Sequence, residues 1–187
     1  FGGADLSGAV LSDAQISKAV FMGCTLVGCD LSRSDFSETV ITDSDLSRAR
    51  LSETRLRGTV FSDARLTGAD LAGSRWEQPL FPGTDFVGAT GFPADCGGID
   101  FSKSNLEGLS LSGRAFGHAN FRGANLSKTD FSGCDLRGAD LSGAKLAGAR
   151  LRGADLSDAC AWSSDWSGAD LEGACLKKAG FYGADLS

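Results

Sequence analysis

Six cysteines, one histidine and 24 Asp and Glu residues are the groups in this 187-residue chain that could ligate a metal, pair as disulfides or move protons. Their spacing assigns them little of that chemistry. His118 stands alone beside Gly117, with no Asp or Ser arranged around it as a nucleophilic triad requires. No Cys-Xaa-Xaa-Cys pair occurs, so neither a zinc site nor a redox pair is expected. The aspartates recur at a fixed interval along the chain, which makes any two facing carboxylates stacked surface groups rather than a general acid and base. No catalytic residue, metal ligand or cofactor is assigned, and the expected activity is binding.

The interval is five residues. Counting every fifth residue from Phe1, 35 of 38 sites are Leu, Phe, Ile or Trp, the exceptions being Gly91, Cys96 and Ala161. Two residues before each, from Ala4 to Ala184, 33 of 37 sites are Ala, Ser, Thr or Cys; Pro79, Ile99, Leu109 and Arg114 depart. Each block thus offers one large and one small core residue. Neither a helix of period 3.6 nor a flat strand of period 2 keeps that pattern on one side, so the chain must turn a corner in every block. The 26 glycines, frequent at the last place of a block, suit such corners. A chain of this kind winds into a coil and stacks each coil on the last, as solenoids do. Phenylalanine gives the coil length: seven of the 11 Phe at large sites, residues 1, 21, 61, 81, 101, 121 and 181, share one period of 20. Four blocks per coil are expected, and about nine coils at a spacing of roughly 4.8 Å give a rod on the order of 45 Å long.

The blocks Ala-Asp-Leu-Ser-Gly at residues 4–8 and 139–143, Ala-Asp-Leu-Ala-Gly at 69–73 and Ala-Asp-Leu-Glu-Gly at 169–173 carry a resemblance. So do 124–128, with Lys for Gly, and 154–158, with Asp for Gly. The chain resembles the pentapeptide repeat family over essentially its whole length. The resemblance implies an all-β, right-handed quadrilateral β-helix, a single domain over residues 1–187, with the large and small positions inside and the other three outside. It does not by itself imply a function.

Two places break the pattern. All three prolines, Pro79, Pro82 and Pro93, lie in residues 79–98, where Gly91 leaves a large site empty. Either a coil is distorted there, with at most a short excursion near 89–98, or a functional loop projects. At Ala161 and Trp162 a register bulge that turns Trp162 inward is expected. Both ends stop within intact repeats, so their strands are bare edges, and the chain is expected to be a segment of a longer product or to pair its ends with a partner. Cys24, Cys29 and Cys134 fall on small core sites and Cys96 on a large one, while Cys160 and Cys175 face outward on different faces. Unpaired thiols fit a cytoplasmic protein.

The net charge of −6 argues against direct nucleic-acid binding, and no apolar run is long enough to span a membrane. Some pentapeptide repeat proteins, those that confer quinolone resistance or protect producers of gyrase-targeting antibiotics, resemble duplex DNA and occupy the DNA site of type II topoisomerases. The resemblance makes a DNA mimic that binds a gyrase-type topoisomerase the most specific expectation here. The candidate acidic face is Asp30, Asp70, Asp130, Asp170 and Glu172, interrupted by Arg50, Arg150 and Arg152. A duplex of that length carries roughly 26 phosphate charges, so this chain is a weak match in charge.

The alternative is an interaction scaffold or oligomerisation domain of a larger protein, with no DNA mimicry. Val20, Val40, Val60 and Leu80 recur at period 20 in an outward position and form a candidate contact strip, with Trp162 and Tyr182 farther along the same column and Met22 near its other end. Valine also suits a solvated strand for its β-propensity alone. The expected partner is a protein, possible choices being a topoisomerase or a second copy of the chain.

Overall fold

The corner required in every block is a property of the backbone. In the computed structural model, which describes residues 1–187, every fifth residue from Gly3 to Gly183 has a positive φ, save Pro93. That region disfavours L side chains, yet Lys18, Glu38 and Arg48 occupy it along with the glycines. Hydrogen bonds offset the strain. The corner N–H donates across to the next coil, as from Lys18 to the Ser37 carbonyl at 2.9 Å, and the following N–H closes the turn, as from Ala19 to the Ile16 carbonyl at 3.0 Å.

Between corners the chain is extended and pairs in parallel with the residue 20 further on: Asp5 with Thr25, Asp45 with Arg65, Asp135 with Asp155. Four blocks therefore complete one coil. The longest pairings form five short strands: β1 (Val20–Met22), β2 (Val40–Thr42), β3 (Arg55–Arg57), β4 (Val60–Ser62) and β5 (Arg75–Glu77). β1, β2 and β4 make one parallel sheet, and β3 and β5 another. No helix is long and apolar enough to cross a membrane.

The chain divides into two compact units, Phe1–Pro93 and Ala94–Ser187. In each, the large residues fill the inside of the coil and stack at the expected interval. Phe1 lies on Phe21 at 4.8 Å and Phe61 on Phe81 at 5.2 Å in the first unit; Phe101 lies on Phe121 at 5.3 Å in the second. The small positions accept Ser, Thr and Cys as readily as Ala because a polar group there finds a backbone carbonyl, in its own turn for Thr54 and Ser74 and in the preceding coil for others. Thr39 donates to the Ile16 carbonyl, Thr59 to that of Phe36 and Thr129 to that of Leu106, each 23 residues back, at 2.8 to 2.9 Å. The Cys29 and Cys134 thiols do the same toward Leu6 and Leu111. A buried hydroxyl so satisfied carries no desolvation penalty of the size an orphan would.

Two expectations are corrected. The site at Gly91 is not left empty, because Phe92 turns into the core instead and packs 5.5 Å from Trp76 and 5.2 Å from Phe86. Proline explains the shift: the corner is due at residue 93, but Pro93 cannot adopt a positive φ, so Gly91 takes it two residues early, at 79°. Up to Pro93 the irregular stretch keeps its coil, with Asp85 and Thr90 paired to Arg65 and Asp70, as a distorted coil requires. The second correction concerns Trp162, which does not turn inward. Ala161 keeps the core site and is fully buried, while Trp162 is 56% exposed. The bulk missing at Ala161 is supplied one block later by Trp166, buried in the core with its indole N–H on Ser164 and its ring edge on Phe181.

Candidate functional site

Outward residues follow from the pleat, since the residues flanking each buried large one point to solvent. On the β1–β2–β4 sheet this places Val20, Val40 and Val60 in direct register, and Leu80 pairs with Val60 in the next coil. Val20 is 47% exposed and Leu80 41%, with Val40 and Val60 half-buried between them. Met22, on the other side of Phe21 in β1, adds a second exposed apolar side chain to the same sheet. One flanking corner carries Lys18 and Glu38, ion-paired at 3.8 Å, and the other carries Asp43 and Asp63. An apolar line with a charged rim is the anatomy of a protein contact.

Trp162 and Tyr182 lie in the second unit. They sit in successive coils, joined by the bond from the Ser163 N–H to the Tyr182 carbonyl at 2.9 Å, and Tyr182 is 83% exposed. The structure thus keeps both on the surface, as two large side chains with apolar bodies and polar tips.

The acidic candidates are not gathered into a line of free charge. Asp30, Arg50 and Asp70 alternate in one ladder, as do Asp130, Arg150 and Asp170. Arg50 reaches Asp30 at 3.3 Å and Arg150 reaches Asp130 at 3.2 Å, while Arg152 pairs with both Asp170 and Glu172. Each aspartate also has a local duty. Oδ1 of Asp30 accepts the Ser32 N–H at 3.1 Å and its hydroxyl at 2.6 Å, bonds that hold the turn. The Ser32 hydroxyl, then its N–H, keep the Asp30 carboxyl below the usual range, and the Arg152 guanidinium does so for Asp170. In Asp30, Asp130 and Asp170 one carboxylate oxygen serves the turn and the other an arginine, unlike the bare phosphates of a duplex.

The remaining reactive groups occupy the places their positions in the repeat dictate. Cys24, Cys29, Cys96 and Cys134 are buried; burial pushes the Cys96 thiol up to about 12. Cys160 is half-exposed and Cys175 exposed, and His118 is an exposed corner residue. A polar groove along Arg33, Arg55 and Arg75 in the first unit was not anticipated from the repeat. Its only mark in the sequence is the repetition of arginine at residues 55 and 75, one coil apart.

Comparison with known proteins follows the repeat. The family model of Pentapeptide repeats matches in 8 copies, over residues 1–26, 19–58, 44–75, 116–153 and 149–187. The interval between matches, 76–115, contains the irregular stretch. Among solved structures, the pentapeptide repeat protein Rfr23 from the cyanobacterium Cyanothece 51142 is 31% identical, over 52% of this chain and 67% of that one, with a TM-score of 0.50. HetL of Nostoc sp. strain PCC 7120, a pentapeptide repeat protein involved in heterocyst differentiation regulation, is 30% identical over 98% of this chain and 90% of its own, with a TM-score of 0.38. QnrB1, a plasmid-mediated fluoroquinolone resistance protein, is 20% identical over 93% of this chain and 90% of its own, with a TM-score of 0.52. No curated protein matches the sequence.

Proposed function

The chain belongs to the pentapeptide repeat family, whose members form right-handed β-helices, and from that premise we propose that it works by binding another protein through its outer surface, with no catalytic step. The contact is made by the strip Val20, Val40, Val60 and Leu80, with Met22 beside it. The observation that carries this reading is the unbroken register of four apolar side chains on a solvent-facing sheet, rimmed by charge. A strip of like residues is also self-complementary about a two-fold axis, so a second copy is one partner to test.

The test is the double substitution Val40→Lys and Val60→Lys. Both side chains project outward, so the far-UV spectrum and melting temperature should stay close to wild type, while association measured by sedimentation velocity and by co-purification should be lost. A double variant that associates as wild type at matched concentration contradicts the assignment of the strip.

A second reading is the DNA mimic acting on a gyrase-type topoisomerase, in the cytoplasm. The net charge of −6 supports it; the pairing of Asp30, Asp130, Asp170 and Glu172 with arginines weighs against it. Titration into a gyrase supercoiling and quinolone-cleavage assay, with Asp70→Lys, Asp130→Lys and Asp170→Lys combined as control, separates the two. Inhibition lost in the triple variant favours mimicry; no effect at concentrations well above the enzyme's favours the strip alone.

A further inference from the structure

In the first unit, Gln15, Asp35, Arg55 and Arg75 follow one another in a single parallel ladder. The pairing of Arg55 with Arg75 sets two guanidinium side chains side by side on strands about 4.8 Å apart, an arrangement in which like charges repel. Elsewhere an arginine in such a ladder ion-pairs with the acid beside it, as Arg50 does with Asp30 and Arg65 with Asp45, each at 3.3 Å; Arg55 has Asp35 on its other side but forms no such pair with it. Neither Arg55 nor Arg75 comes within ion-pair distance of a carboxylate, and both are exposed.

The two arginines border a groove of about 490 Å³. Its other wall is the adjoining corner, with Arg33, Glu53 and Gly73, and its floor includes Ser34. Arg33 is already engaged, through two hydrogen bonds to Asp13 at 2.9 and 2.7 Å. Asp35 is engaged too, its Oδ1 accepting the Ser37 N–H at 2.9 Å. The cations left without an ion pair are therefore Arg55 and Arg75, and the anions lining the groove with them are Glu53 and Asp35, the latter beside Arg55 in the ladder. Gly73 leaves the corner low beside Arg75, where a side chain would narrow the groove.

We propose that this groove is an oxyanion-binding site, in which the Arg55 and Arg75 guanidiniums together hold one phosphate or carboxylate group. Guanidinium forks suit both geometries and bind either in pairs of parallel hydrogen bonds. An oxyanion between them converts a repulsive pair into a bridged one. Glu53 on the opposite wall and Asp35 beside Arg55 restrict the ligand to a single anionic group, because a second charge would meet a carboxylate.

Side-chain Nε–Hε resonances of the arginines give the test, in the full chain at constant ionic strength. One arm titrates inorganic phosphate, a second titrates acetate, and sodium chloride is the control. Saturable shifts confined to Arg55 and Arg75 are expected with at least one oxyanion, and the arm that saturates at lower concentration identifies the source as phosphate or carboxylate. Arg75→Gln should weaken binding about tenfold, as loss of one charged hydrogen-bonding partner does. Arg122→Gln, in the second unit and paired with Asp140, should leave it unchanged. Shifts that rise linearly in every arm, or that spread equally over the paired arginines, overturn the site. So does an Arg75→Gln variant, folded by its spectrum, that binds as wild type.

Discussion

Gly91 is where the repeat yields to proline, and its replacement by alanine tests that reading of the register. A Cβ built there would lie 2.2 Å from the Ala72 nitrogen, 2.6 Å from its Cα and 2.7 Å from the Leu71 carbonyl carbon. All three are backbone atoms of the neighbouring coil and cannot rotate away. Gly58 is the matched control: it also has positive φ, but its nearest neighbour would be Glu38 Cγ at 3.9 Å, an ordinary contact. Gly58→Ala therefore meets only the left-handed strain, about 1 to 2 kcal/mol. Gly91→Ala meets that strain plus overpacking worth about 1 to 3 kcal/mol, for a total of about 2 to 5 kcal/mol. Both residues lie in the first unit, so one unfolding transition reports both. Urea denaturation followed by tryptophan fluorescence is a suitable assay, because Trp76 lies against Phe92 and Phe81. If Gly91→Ala costs no more than Gly58→Ala, Gly91 does not lie against the neighbouring backbone and the proposed response to Pro93 is wrong.

Leu66 and Leu141 are fully buried, and an aspartate at either site would bury an unpaired charge; each variant should lose more than about 4 kcal/mol or fail to fold. Wild-type melting by either would contradict the register. The Ser37 hydroxyl, then its N–H, hold the Asp35 carboxyl below the ordinary 3.8, so this contribution is full above that value and is lost as pH falls through the lower folded value. Ser37→Ala should thus melt below wild type at neutral pH, with a gap that narrows as the pH drops beneath 3.8; a constant gap refutes the assignment. With a thiol reagent, Cys160 and Cys175 should react at once and the four buried cysteines only on unfolding; early reaction of Cys96 would show that its core site is open.

The coil was legible in the sequence because one large and one small residue per block leave no other period, and the Phe column fixes the number of blocks per turn. Val20, Val40 and Val60 could be placed on one face by counting in twenties. The behaviour of Phe92 could not be, since it depends on which nearby residue can accept the corner that Pro93 refuses. Trp162 misled for a related reason. An alanine at a large site suggests a bulge only if its own neighbour must fill the gap, whereas Trp166, a block away, fills it from the side. Pairing was the other hidden layer: counting in twenties places the charges in columns, but does not show that Arg50, Arg150 and Arg152 reach the acids beside them while Arg55 and Arg75 reach none.

The contact strip is tested most directly by placing a photo-crosslinking residue at Val40 and, in a separate variant, at the comparably half-exposed Ser132 in the second unit. Irradiation in cells that make the protein should give a discrete adduct from residue 40, whether with another protein or a second copy, and none from residue 132. Adducts of equal yield and identity from both positions, or from residue 132 alone, would contradict the claim that this protein binds through Val20, Val40, Val60 and Leu80.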